Sequence, residues 1–191
     1  MYTKKIYFSG GSFHELQEVF SRVKGVVSCR TGYINAAGDE PTYESVLKGE
    51  VDAAMGVEIE FNPKKIDLSS LMDILFTVIN PYSEDKQGEC EGHMYRNGVY
   101  YVSAEDAPII SYFLSFIQNR KKIPAATDSA LIVNDPNSDP AGTRVCHVEA
   151  LRLKSFHPAE DEHQDFLRRF PLALKKTYID FVRLKELSII E

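Results

Sequence analysis

The chain has 191 residues, 43% hydrophobic and 26% charged, which suits one compact domain that buries a core without disulfide or metal staples. A net charge of −6, with only the short basic runs Arg120-Lys121-Lys122 and Lys175-Lys176, argues against nucleic acid as a partner, because phosphate binding needs clustered Lys and Arg. Cys29, Cys90 and Cys146 lie far apart with no CxxC pair, and no signal-peptide pattern or membrane-length apolar run appears, so a reduced, cytoplasmic setting without membrane, metal or organic cofactor is expected.

Residues 4–9 read as a short buried strand, followed by Gly10, Gly11 and a helix beginning near Ser12. Leu16, Val19, Phe20 and Val23 fall at i, i+3, i+4 and i+7, one face of an amphipathic helix, and Gly25 stops it. A second strand follows at 26–34, a loop at 35–40, a helical turn around Thr42–Lys48 and a third strand over about 51–61. Pro63 breaks that strand. Asp67 is placed to cap a helix with Leu68, Leu71, Met72, Leu75 and Ile79 on one face, and Asn80-Pro81 ends it. A long polar loop spans 82–97, a strand 98–103, and Ser103 can cap a helix over 105–119. Residues 134–142 are irregular, and a strand runs through 145–153. A helix is expected from Pro158, with proline in its first turn, and another over 172–186. The order predicts an α/β fold, an α+β sandwich of a mixed β-sheet covered by helices, as a single domain over 1–170. Residues 171–191 would be a C-terminal helical extension packed on it.

The passage from strand through Gly10-Gly11 to the helix start at Ser12 writes an anion site. Free N–H groups and the positive end of the helix dipole point at whatever sits there, and a cysteine so placed has a lowered pKa. The plainer reading makes Ser12 an N-cap, with Glu15 three residues on completing a capping box.

Several blocks stand in order along the chain: Gly11-Ser12-Phe13-His14, Gly32-Tyr33, Pro41-Thr42-Tyr43-Glu44, Lys86-Gln87-Gly88, Met94-Tyr95-Arg96, and Phe156-His157-Pro158-Ala159-Glu160 running on to His163-Gln164. In this order and spacing, over roughly residues 4–170, they resemble the peptide methionine-S-sulfoxide reductases of the A class (MsrA). The resemblance implies an oxidoreductase of protein repair under oxidative stress. A thiolate attacks the sulfoxide sulfur, tyrosines and an acid handle the sulfoxide oxygen, and methionine leaves. The resulting sulfenic acid is then reduced by an external thiol such as thioredoxin. The substrate implied is methionine sulfoxide, in a peptide or free.

Carried over position by position, Phe13 keeps one aromatic of the methyl pocket, while Tyr43 and Tyr95 keep the two phenols. The nucleophile position, however, holds Ser12, and the second pocket aromatic is His14. The family's glutamate falls on Met55, its aspartate on Cys90, and its His-Asp-Pro element reads Ile79-Asn80-Pro81. A serine hydroxyl forms no stable sulfenic equivalent and Met55 donates no proton, so this form is expected to be inactive or impaired. Ser12 is either a deliberate replacement of cysteine or natural divergence; the clustered departures favour divergence.

An alternative is a catalytically silent relative that binds methionine, its sulfoxide or another small ligand. Cys90 could serve as a displaced nucleophile, although a free thiol in a loop is the simpler reading. Cys29 and Cys146 read as core. Glu160 and His163 have a spacing that can bind metal, but a structural histidine is favoured. His14 as a base on Ser12 receives little support, because neighbours two apart on a helix do not face each other.

Overall fold

The computed structural model describes residues 2–119 and 145–191. The irregular stretch expected at 134–142 and the basic run 120–122 lie outside them.

Lys4–Ser9 forms β1, and α1 follows over Phe13–Phe20. Leu16, Val19 and Phe20 are fully buried, the stripe that their spacing dictates. β2 is Val26–Ile34 and α2 is Tyr43–Leu47. β3, Ala54–Phe61, begins later than the expected 51. The Asp67 carboxylate accepts the Ser70 N–H at 2.7 Å and caps α3, Leu68–Val78.

The expected loop over 82–97 contains a small antiparallel hairpin, β4 (Lys86–Gln87) and β5 (Cys90–Glu91), turned at Gly88 with φ +56°. A 3-10 turn at His93–Tyr95 leads into β6, Asn97–Tyr101. α4 covers Asp106–Asn119, entered through the Asp106 N–H donating to the Ser103 carbonyl at 3.1 Å. β7 is Val148–Arg152.

The helix expected from Pro158 does not form. Phe156–Pro158 is β8, paired with β2 alone at the outer edge of the sheet. Proline has no N–H to give a second neighbour, and an edge strand asks for none on that side. A 3-10 turn at Asp161–His163 and the short helix α5, Phe166–Arg169, follow. The helix expected over 172–186 is divided into a 3-10 turn, Pro171–Lys176, and α6, Phe181–Glu186. Between them Ile179 is buried, and the Asp180 side chain accepts the Arg183 N–H at 2.8 Å to start α6 afresh.

Six of the described strands form one mixed sheet in the order β7-β6-β1-β3-β2-β8, with the β4–β5 hairpin separate from it. β1 lies between β3 and β6, antiparallel to both, whereas β7 runs parallel to β6. Ile6, Phe8, Val57 and Ile59 point to the face that carries α1 and α3, forming the main core. The other face holds the smaller cluster Tyr7, Ile34, Ala54 and Tyr100. There the buried Glu58 carboxylate accepts from the Tyr7 hydroxyl and from Arg30 Nη2, each at 2.7 Å. The architecture is the single-domain α/β arrangement that the sequence order predicts. No helix among the described residues is long and apolar enough to cross a membrane.

Candidate active site

β1 ends beneath a backbone turn that only glycine fits. Gly11 has φ +69°, and a Cβ there would lie 2.7 Å from the Gln87 Cβ. That approach brings the β4–β5 hairpin onto the start of α1. The Gly11 N–H donates to the Tyr95 carbonyl at 3.0 Å, so Tyr95 is tied to the same turn. Gln87 anchors the hairpin from inside. Its Oε1 accepts the Asn80 N–H at 2.8 Å, and its Nε2 donates to the Asn80 carbonyl at 2.8 Å and to Asn97 Oδ1 at 2.9 Å.

Ser12 occupies the N-cap with extended backbone, but its hydroxyl makes no capping bond. Glu15 does not complete a capping box either. Its side chain is buried, and its Oε2 has no hydrogen-bond partner among the described residues. Burial pushes this carboxyl up to about 7. Ser12 and Cys90 instead line one cavity. Burial raises the Cys90 pKa, the charge of Glu15 adds to this, the Ser12 N–H opposes it, and Glu89 raises it further.

Around the helix start stands an aromatic wall. The Phe13 ring is 5.9 Å from Tyr43 and 4.9 Å from His14. His163 stacks on Tyr43 at 4.0 Å, and His14 stacks on Phe166 at 4.5 Å. Burial raises the Tyr43 phenol pKa, with Cys90 contributing. Burial pushes Tyr95 up to about 12, with Tyr43 and Cys90 contributing. Both phenols therefore stay protonated and feel the same thiol. Met55, on β3, is buried in the core cluster against which Tyr43 and Tyr95 pack.

Of the residues singled out in the sequence, Phe13, His14 and Tyr43 are in ring contact, Tyr95 is joined to the Gly11 turn through its carbonyl, and Ser12, His14 and Cys90 line one cavity. His14 is not directed at Ser12 as a base. Its Nε2 lies 3.0 Å from His163 Nδ1, and burial, His163 and Arg169 lower its pKa to about 4, which keeps the ring neutral. Glu160 is engaged within the chain: it accepts the Tyr33 hydroxyl at 2.6 Å and the Tyr43 N–H at 3.0 Å. Cys29 and Cys146 are partly buried, and burial raises both thiols.

Two further residues belong here that the sequence did not mark. Glu15 was absorbed by its capping-box spacing. Tyr178, from the tail, covers the hairpin turn so closely that a Cβ at Gly88 would lie 2.6 Å from its Cδ1. Between helix start, hairpin and tail opens a cavity of about 440 Å³, lined by Ser12, Glu15, Cys90, Lys176 and Tyr178 among others.

The family described as peptide methionine sulfoxide reductase matches residues 4–187. The protein named peptide methionine sulfoxide reductase MsrA from Mycoplasma genitalium is 33% identical over 169 residues, covering 88% of this chain and 94% of that one. Its namesake from Clostridium acetobutylicum is 32% identical over 168 residues, covering 88% and 91%. Among solved structures, reduced Mxr1 from Saccharomyces cerevisiae superposes with a TM-score of 0.71 at 24% identity, covering 88% of this chain and 86% of that one. Methionine sulfoxide reductase A of Corynebacterium diphtheriae superposes with a TM-score of 0.74 at 21% identity, covering 89% and 76%. With sequence matched almost from end to end and the fold shared, the chain belongs to the peptide methionine sulfoxide reductase family.

Proposed function

We propose that this site binds the S-sulfoxide side chain of an oxidised methionine, in a peptide or as the free amino acid, and that reduction through position 12 is lost. The observation that carries the reading is the ring contact of Phe13 with Tyr43 at the start of α1, with Tyr95 tied by its carbonyl to the Gly11 N–H beside them. The substrate methyl group rests against the Phe13 and Tyr43 rings. The two phenols, kept protonated by burial, donate to the sulfoxide oxygen. The helix start favours the negative charge on that oxygen.

Ser12 interrupts the chemistry at the next step. His14 does not serve the Ser12 hydroxyl as a base, since its ring is turned to His163. Met55 has no proton to supply. Any turnover draws electrons from an external thiol such as thioredoxin.

Calorimetric titration with a short peptide tests the binding. The S-sulfoxide form is expected to bind about tenfold more tightly than the methionine form, the worth of one good hydrogen bond. Replacing both phenols, Tyr43→Phe with Tyr95→Phe, is expected to remove that preference. Ser12→Cys is expected to raise the dithiothreitol-dependent rate by about 10²-fold, because it returns a thiol to a helix N-terminus. Equal, immeasurable binding of both peptides would overturn the reading.

A further inference from the structure

Cys90 is the thiol that lies closest to the chemistry, and its surroundings are built rather than incidental. The β4–β5 hairpin carries it to the start of α1, where it lines one cavity with Ser12 and Glu15. Gln87, held by Asn80 and Asn97, anchors the hairpin from within, and Tyr178 covers its turn at Gly88. Glu15, 8% exposed, lines the same cavity with a carboxylate oxygen that no described residue satisfies. An orphaned buried acid costs stability unless a ligand or a proton uses it. The family's thiol position (Ser12) and acid position (Met55) are empty of both groups, while a thiol and an acid stand together one step away.

We infer that Cys90 and Glu15 form a displaced thiol–acid pair that reduces the bound sulfoxide in place of residues 12 and 55. This rests on the sulfoxide-binding reading above. Glu15 takes the proton of Cys90 as the sulfur attacks, and a bond forms between Cys90 Sγ and the sulfoxide sulfur. Glu15 returns the proton to the sulfoxide oxygen. The substrate S–O bond breaks, the hydroxyl passes to Cys90 as a sulfenic acid, and methionine leaves. The substrate sulfur gains the two electrons that Cys90 loses. A small thiol then condenses with the sulfenic acid, releasing water and leaving a mixed disulfide. A second thiol frees Cys90 and departs as the disulfide of the reductant. Nothing in the cycle needs a second cysteine in the chain. A raised thiol pKa makes the attack slow until the carboxylate has taken the proton, and a carboxyl at about 7 is matched to that exchange.

The test is a single turnover without reductant. The full chain is mixed with an S-sulfoxide peptide, binding is followed by calorimetry, and methionine peptide and dimedone-trapped sulfenic acid are measured by mass spectrometry. Up to one equivalent of methionine peptide per chain is expected, with the dimedone adduct on Cys90. Cys146→Ser is expected to leave the yield unchanged. Cys90→Ser, or alkylation of Cys90 on the folded chain, abolishes the yield while binding stays within about twofold. Glu15→Gln slows methionine formation by about 10²-fold with binding retained, the usual cost of losing a general acid–base. Sulfoxide bound without methionine formed, or an undiminished yield in Cys90→Ser, overturns the displaced pair and leaves the binding reading standing. Absence of binding removes both.

Discussion

Buried Glu15 and partly buried His14 are neighbours whose pKa values shift in opposite directions. Burial holds the Glu15 carboxyl at about 7, above its ordinary 4.5, so the folded chain binds a proton there more tightly than the unfolded chain does. That contribution to stability is present below pH 4.5 and is lost as pH rises to about 7. His14 is lowered from 6.5 to about 4 by burial, His163 and Arg169, so its contribution is present above pH 6.5 and is lost as pH falls. Between pH 4.5 and 6.5 the two slopes oppose each other. Urea melts of Glu15→Gln are therefore expected to show stability rising with pH across that window. Its gain over the parent chain is larger at pH 8 than at pH 4.5 by on the order of 3 kcal/mol. In His14→Gln only the Glu15 contribution remains, and stability is expected to fall with pH across the same window. At this scale Phe13, Tyr43 and Tyr95 were legible because ordered sequence blocks carry them. Glu15 was not, because Ser12-x-x-Glu15 is also how a capping box is spelled, and only coordinates show whether the carboxylate turns back. Tyr178 has no spacing relation to the rest of the site, so no one-dimensional pattern could find it.

The glycine turn and the β4–β5 hairpin work as one element. Gly11→Ala adds a Cβ where φ is +69° and where Gln87 Cβ would lie 2.7 Å away. Both strain and contact act together, so a loss of about 1–3 kcal/mol is expected in denaturant melts, with sulfoxide affinity falling too as Tyr95, tied to the Gly11 N–H, shifts. Unchanged affinity in a destabilised Gly11→Ala would separate the turn from the site. Helices α1 and α3 were readable because apolar residues recur on one face over several turns, and α3 also has its Asp67 cap; strands β1, β2 and β3 were readable as apolar runs bounded by glycine or proline. β8 was misread because Pro158 suits a helix's first turn and a sheet's outer edge equally, and the choice is made by Gly32 and Tyr33 of β2, far away in sequence. The hairpin escaped notice because its strands, Lys86–Gln87 and Cys90–Glu91, are too short to show alternation.

Across the whole molecule, the segment after Phe170 is bound into the core. Ile179, Leu184 and Ile190 are buried in the main cluster, and the Glu191 N–H donates to the Arg22 carbonyl at 3.0 Å. We read 171–191 as packed on the domain and as one wall of the cavity, through Lys176 and Tyr178. Truncation after Phe170 is expected to cost several kcal/mol, at about 1.5–3 kcal/mol for each buried aliphatic side chain, and to lower the thermal midpoint by more than about 10 °C. A truncated chain that melts like its parent would show the tail to be an ornament. The placement of β1 between β3 and β6 has its own consequence for how the chain is made. β1 is synthesised before both of its neighbours, and its second ladder waits for Asn97–Tyr101 to be synthesised. Until then an apolar strand keeps one row of amides and carbonyls unpaired. Chaperone dependence during synthesis should fall abruptly once that later strand clears the exit tunnel.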